Sequence, residues 1–185
     1  MPPAISSTME TRSAHLPLRR CVGIMVVNAQ GLVWVGRRRP KWGPLAPHYL
    51  CDGCIWQMPQ GGINEGEHVL DAAFRELREE TGIVSATLLD ELSSWLSFGL
   101  PRKLVGIALK GKYRRQRLRW FAMRFDGHDS EIDLGPKSGA TAEFDDWRWV
   151  RPHEVPHLGV PFKRRIYETV VEHFVNVTDG QIARA

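Results

Sequence analysis

Glu76, Glu79 and Glu80 lie at i, i+3 and i+4 in a stretch whose apolar residues recur at helical spacing. At 100° per residue the three fall within an arc of about 100° on adjacent turns. Two carboxylates about 5.5 Å apart repel by about 3 kcal/mol at an effective dielectric near 20. On a fully solvated face the cost drops to a few tenths of a kcal/mol. Glu76 and Glu80 border the apolar side, so full solvation of all three is not expected. Arg75 and Arg78 are expected to point away from the centre of the cluster, which leaves a divalent cation to neutralise it. Oxygen-only ligands favour Mg²⁺, with Mn²⁺ as second choice, over zinc. On the helix alone a solvated acidic face is an equal reading, because charge runs usually are one.

The element that must hold these carboxylates is a helix from His68 to Thr81. Val69, Leu70, Ala73 and Leu77 share one side, and Gly82 follows in the place a terminating glycine prefers. Ahead of it, Pro59 to Gly66 holds three glycines and a proline and reads as a constrained loop.

At 185 residues the chain is most simply one domain, here expected over residues 18–178, with a flexible arm at 1–17 and a short tail at 179–185. A hydrophobic fraction of 43% and a charged fraction of 25% are ordinary for a soluble globular protein. No apolar run reaches the length of a membrane span, so no membrane partner is expected. The arm is rich in Pro, Ser and Thr and has no apolar core of the secretory-signal type. Three cysteines make no disulfide framework, and a cytoplasmic location is the expectation. The chain is expected to act as a monomer.

Cys21 to Asn28 and Leu32 to Gly36 are apolar runs joined by Ala29-Gln30-Gly31, a β-hairpin pattern. Arg37, Arg38 and Arg39 follow at the strand exit, suited to phosphate or base contact. The loop over 40–55 carries His48, Cys51 and Cys54; no second ligand pair completes a zinc site, so they read as ordinary loop residues. Trp56 to Met58 is a short strand, Ser85 to Glu91 an extended segment and Leu92 to Phe98 a further strand. Pro101 to Arg119 holds eight basic residues and no acidic one, a basic hairpin read as an electrostatic guide for a polyanion. Trp120 to Phe125 and Trp147 to Val150 are strands, and Arg151 to Pro161 is a connector. Phe162 to Val177 is an amphipathic helix. Lys163, Arg164 and Arg165 at its start oppose the helix dipole, which points to a job other than stability.

Gly61, Glu67, Arg75, Glu76, Leu77, Glu79, Glu80, Gly82 and Ile83 fill every fixed place of the pattern Gly-x5-Glu-x7-Arg-Glu-U-x-Glu-Glu-x-Gly-U, with U aliphatic. The segment thereby resembles the signature of the Nudix hydrolases. Trp56 to Asn64, Glu143 to Val150 and Phe162-Lys163-Arg164 extend the likeness to the RNA pyrophosphohydrolase branch, over about Arg19 to Val177. The resemblance implies an α/β (α+β) fold, a mixed β-sheet sandwiched between α-helices with the box helix against one face. It implies removal of pyrophosphate from the 5′-triphosphate end of RNA, initiating mRNA decay, or hydrolysis of a nucleoside polyphosphate such as a diadenosine polyphosphate. It implies that Glu76, Glu79, Glu80 and Glu143 hold divalent cations. Glu76 is then the first choice for activating the attacking water, and Glu80 the second. Gly61, Glu67, Arg75 and Gly82 would be scaffold. Arg19 would meet substrate phosphates, Arg38 and Phe162 would sandwich a base, with Lys163 beside them. For Phe162, core packing is an equal alternative. The long 40–55 loop, and His68 and Val69 where small polar residues are common, depart from the pattern and bear on base preference. A non-catalytic nucleotide-binding module would be expected to lack box carboxylates, and none is missing here.

Overall fold

The computed structural model describes residues 16–39, 55–102, 105, 108–136 and 141–182. His48, Cys51 and Cys54 and most of the N-terminal arm lie outside them. β1 (Leu18–Val27) is the spine of the molecule. From Cys21 to Val27 every residue is buried, alternating between two cores. Such a run, apolar on both faces, suits a central strand covered on both sides.

β1 pairs in parallel with β6 (Arg115–Phe125) along its whole length, from Leu18 opposite Arg115 to Val27 opposite Arg124. On its other edge it meets two strands in turn. β2 (Val33–Arg38) joins at Val27 opposite Val33, and β4 (Gln60–Gly62) pairs Cys21 with Gly62. β3 (Trp56–Gln57) and β7 (Phe144–Val150) both pair antiparallel with β2, and β5 (Ala86–Gly99) pairs antiparallel with β6. Among the described residues this makes one mixed, seven-stranded sheet.

Helices cover both faces. α1 (Val69–Thr81) buries Ala72, Ala73 and Leu77 against Val22, Ile24, Phe121 and Met123. The other face is covered by α2 (Val155–Leu158) and α3 (Arg164–Ile182). There Tyr167, Val170 and Phe174 pack on Met25, Trp120 and Ala122, with Tyr167 edge-on to Trp120. The fold is the helix-sandwiched mixed sheet that the resemblance implies.

Several boundaries differ from the sequence reading, each for a non-local reason. Ser85 to Phe98 is not two segments: a single β5 runs through both, because β6 offers a continuous partner. The basic stretch is not a hairpin of its own. Its second half is the start of β6, preceded by a tight turn at Ala108–Gly111. The connector contains α2 and a turn of tighter helix at Pro152–Glu154. α3 begins at Arg164, since Pro161, Phe162 and Lys163 form a separate tight turn, and it runs on to Ile182.

Phe144 sets the position of one wall of the site from inside the core. It is fully buried, edge-on to Trp34 at 5.3 Å, directly after Glu143. Phe144→Ala should cost about 3–5 kcal/mol, and Phe144→Leu markedly less, because the leucine leaves the smaller void. Urea denaturation of the two variants measures both.

Candidate active site

α1 and the loop before it are tied together by one guanidinium. Arg75 donates from Nε to Glu67 Oε1 at 2.6 Å and from Nη2 to Glu67 Oε2 at 2.8 Å. Its Nη2 also reaches the Gly62 carbonyl at 2.8 Å, and Nη1 reaches Glu76 at 2.9 Å and Glu79 at 3.3 Å. The expectation that Arg75 points away from the cluster is therefore wrong. A helical wheel locates Cβ, whereas the long arginine stem carries its charge back over the neighbouring turn. Arg78 is exposed. Glu67 also accepts from the Asn64 N–H at 2.8 Å, closing the loop on itself. The Arg75 bridge and this bond hold the Glu67 carboxyl down at about 2.

Gly61 and Gly82 are needed for different reasons. A Cβ at Gly61 would stand 1.8 Å from the Glu76 carboxyl carbon, so the carboxylate rests directly on the glycine backbone. Gly82 ends α1 at φ 79°, in the left-handed region, with its N–H on the Arg78 carbonyl.

The carboxylates differ in surroundings. Glu79 is half exposed, at 49%, while Glu76 retains only 13%. Burial raises the Glu76 pKa, with Arg75 opposing. Glu80 points inward and accepts from the Gln60 N–H at 3.0 Å. Burial, then Glu143, then Glu76 push its pKa well above the ordinary carboxylate range. Glu143, at the entry to β7, pairs with Arg38 Nε at 3.1 Å. The structure thus brings Glu80, Glu143 and Glu76 into one electrostatic neighbourhood and leaves Glu79 at its rim.

Lys163 is buried, and its Nζ donates to Gln57 Oε1 at 2.9 Å and Gln60 Oε1 at 2.7 Å. Burial, then the Arg38 charge, bring its pKa down to about 7, with Glu143 and Glu80 opposing. Gln60 therefore touches two site residues at once, Glu80 through its N–H and Lys163 through its side chain. Gln57 and Gln60 escape sequence reasoning, since nothing in the order of residues places glutamines beside Lys163. Phe162 is half-buried, lies 5.8 Å from Phe98 ring to ring and packs on the core. Arg19 approaches Gly62 so closely that a Cβ there would lie 2.7 Å from its Nη2, and its charge reaches Glu76. A cavity of about 830 Å³ opens here, lined by Arg19, Arg20, Asn64, His68, Glu76 and Tyr113 among others.

The donor set fits a hard divalent cation: carboxylate oxygens, those of Glu80 without an ion-pair partner among the described residues. As they stand, no three acidic, imidazole or thiol groups among the described residues are gathered around one point. Glu76 is turned onto Arg75 and Glu143 onto Arg38, so binding an ion would exchange those partners.

The sequence of residues 17–170 matches the family described as the NUDIX domain. The chain belongs to that family. It is 51% identical over 171 residues to an RNA pyrophosphohydrolase of Agrobacterium fabrum, covering 92% of this chain and 99% of that protein. It is 54% identical over 162 residues to an RNA pyrophosphohydrolase of Brucella ovis, covering 86% of this chain and 88% of that one. In fold it is similar to the E. coli dihydroneopterin triphosphate pyrophosphohydrolase, with a TM-score of 0.58 at 20% identity, covering 83% of this chain and 95% of that one. It is likewise similar to a C. elegans Ap4A hydrolase, with a TM-score of 0.59 at 14% identity, covering 88% and 98%. Nudix hydrolases use divalent cations, the requirement that this carboxylate set fits.

The Glu67–Arg75 bridge has a pH signature. Glu67 is depressed in the folded state, so its contribution is complete above the unfolded carboxyl value near 4.5 and is lost as pH falls towards about 2. Glu67→Gln should therefore destabilise the protein at pH 7 and make progressively less difference down to pH 3. Urea denaturation of both proteins across that range checks it.

Proposed function

We propose that this protein removes pyrophosphate from the 5′-triphosphate end of RNA and leaves a 5′-monophosphate, the step that opens the RNA to decay. The observation that carries the proposal is Glu80, Glu143 and Glu76 within one another's field, with Glu76 on the wall of a cavity that Arg19 and Arg20 also line. The identity to RNA pyrophosphohydrolases along almost the whole chain supports the same substrate. Magnesium is the preferred ion, with Glu76, Glu79, Glu80 and Glu143 as its ligands; once bound, it would screen the phosphate charge and acidify water. The chain works as a monomer in the cytoplasm.

Glu76 takes the proton of the attacking water. Its raised pKa makes it a better acceptor near neutral pH than a solvated carboxylate. Glu80 is the alternative acceptor, held in place by the Gln60 N–H. The water oxygen bonds to the α-phosphorus as the anhydride bond to the β-phosphate breaks, and that bond's electron pair leaves with the pyrophosphate. Arg19, beside Gly62, and Lys163, bonded to Gln60, both meet β4, where they counter the charge of the polyphosphate. Arg38 and Phe162 hold the first bases of the RNA. A guanidinium and an aromatic ring suit that work, although Phe162 also packs on Phe98.

Purified protein should release pyrophosphate from 5′-triphosphorylated RNA, lose that activity in EDTA and regain it with added Mg²⁺. Glu76→Gln should lower kcat by about a hundredfold or more while the melting curve stays cooperative, and Glu79→Gln should lower it less. Diadenosine tetraphosphate is the rival substrate. A hundredfold preference for it would overturn RNA as the substrate.

A further inference from the structure

β5 departs from regular pairing at one place. Leu92 lies opposite Trp120 and Leu96 opposite Leu118, so the three residues Ser93, Ser94 and Trp95 face Arg119 alone. An irregularity of this kind re-aims a side chain. Trp95 is aimed at the sheet face that α1 covers further along, and it is half-buried there. The Arg20 guanidinium lies 5.1 Å from the centre of its ring, and so does that of Arg117. The two arginines are direct partners in the parallel β1–β6 pairing.

Two exposed cations on one ring are an unusual arrangement to build for stability. Their mutual repulsion opposes the cation–π attraction that each gains. Among the described residues neither has a carboxylate partner. The next arginine along β6, Arg119, is by contrast held by Glu91 and the Ser93 carbonyl. Arg20 is also on the wall of the cavity that holds Glu76. The pair is therefore continuous with the cavity, and one ring aligns both guanidiniums at the same distance.

We propose that Arg20 and Arg117, aligned by Trp95, bind the backbone phosphates of the RNA downstream of the nucleotides in the active site. This rests on the reading of the substrate as RNA, and it gives that RNA a direction: out of the cavity past Arg20 and across the β1–β6–β5 face. Arginines spaced along a strand pair suit a phosphodiester chain, which offers one anionic group per nucleotide. A free nucleoside polyphosphate ends before it reaches Arg117, so this surface acts only on a polymer. Trp95 is a positioning residue in this scheme.

The test compares kcat/KM for a 5′-triphosphorylated dinucleotide with that for a 5′-triphosphorylated RNA of about twelve nucleotides, at low and moderate salt. The wild-type protein should favour the longer RNA, and the preference should shrink as salt rises. Arg117→Ala and Trp95→Ala should each cut that preference by about threefold to tenfold through KM, and Arg117→Ala should also flatten the salt dependence. Arg117→Lys should restore most of the preference; a merely structural change would not be rescued in this way. The proposal is overturned if the wild-type protein has no length preference, or if both substrates lose equally in the two variants. Should the wild-type protein cleave neither RNA, the substrate reading fails, and binding then decides the surface separately. Fluorescence anisotropy with a 5′-monophosphorylated RNA of the same length should show several-fold weaker binding by Arg117→Ala, and equal binding would overturn the proposal.

Discussion

Burial within the field of Glu143 and Glu76 disfavours the charged form of Glu80, and the elements around it hold that arrangement in place. The opposition comes from two arginines on different elements and from the buried Lys163. Arg75, on α1, answers Glu76 and Glu79; Arg38, at the end of β2, answers Glu143. Neither forms an ion pair with Glu80, whose hydrogen bond comes from a backbone amide. The ion pairs of the site thus fall on Glu76, Glu79 and Glu143, while Glu80 has none among the described residues. That is the distribution expected where a small divalent cation, rather than a guanidinium, has to fit.

The sheet makes this distribution rigid. α1 is anchored by Ala72, Ala73 and Leu77 in one core, so Glu76 and Glu80 inherit fixed directions. Gly61 lets the Glu76 carboxylate lie on β4, and β4 is pinned to β1 by the pairing of Val22 with Gly61. On the far side Phe144 holds Glu143 from the same core. Lys163 belongs to the opposite layer, before α3, yet it reaches the sheet through Gln57 and Gln60. Both helical layers therefore converge on the short β4 strand.

The box helix was legible in the sequence because everything that specifies it is local: apolar spacing, a terminating glycine and carboxylates at fixed offsets. The central strand was legible because a strand buried on both faces leaves an unbroken apolar run. Interactions between distant residues were not. The reach of Arg75 is invisible to a helical wheel, which ends at Cβ. Lys163 reads in sequence as one charge of three at a helix start, whereas its partners lie over a hundred positions away. The single β5 was divided in two because its continuity is supplied by β6, which no pattern within β5 records. Phe162 was ambiguous and its surroundings explain why: one ring packs on Phe98 and still keeps part of its surface open.

The parallel pairing of β1 with β6 has a consequence that an antiparallel arrangement in this sheet would not have. Two strands running the same way start at the same end of the sheet, so the polar beginnings of both fall together. Arg19 stands opposite Gln116 and Arg20 opposite Arg117. The alternation of a strand then divides these residues between the two faces. Gln116 turns to the α3 side, where it meets Cys21 and Gln60 in a buried polar chain. Arg20 and Arg117 turn to the α1 side, where both guanidiniums lie over the Trp95 ring. The same register that fixes the Gln60 environment of Glu80 therefore also places the cationic pair beside the cavity. The Glu76 carboxylate resting on Gly61 and the cationic pair are therefore tied to one strand, β1, through its pairing with β4 and with β6.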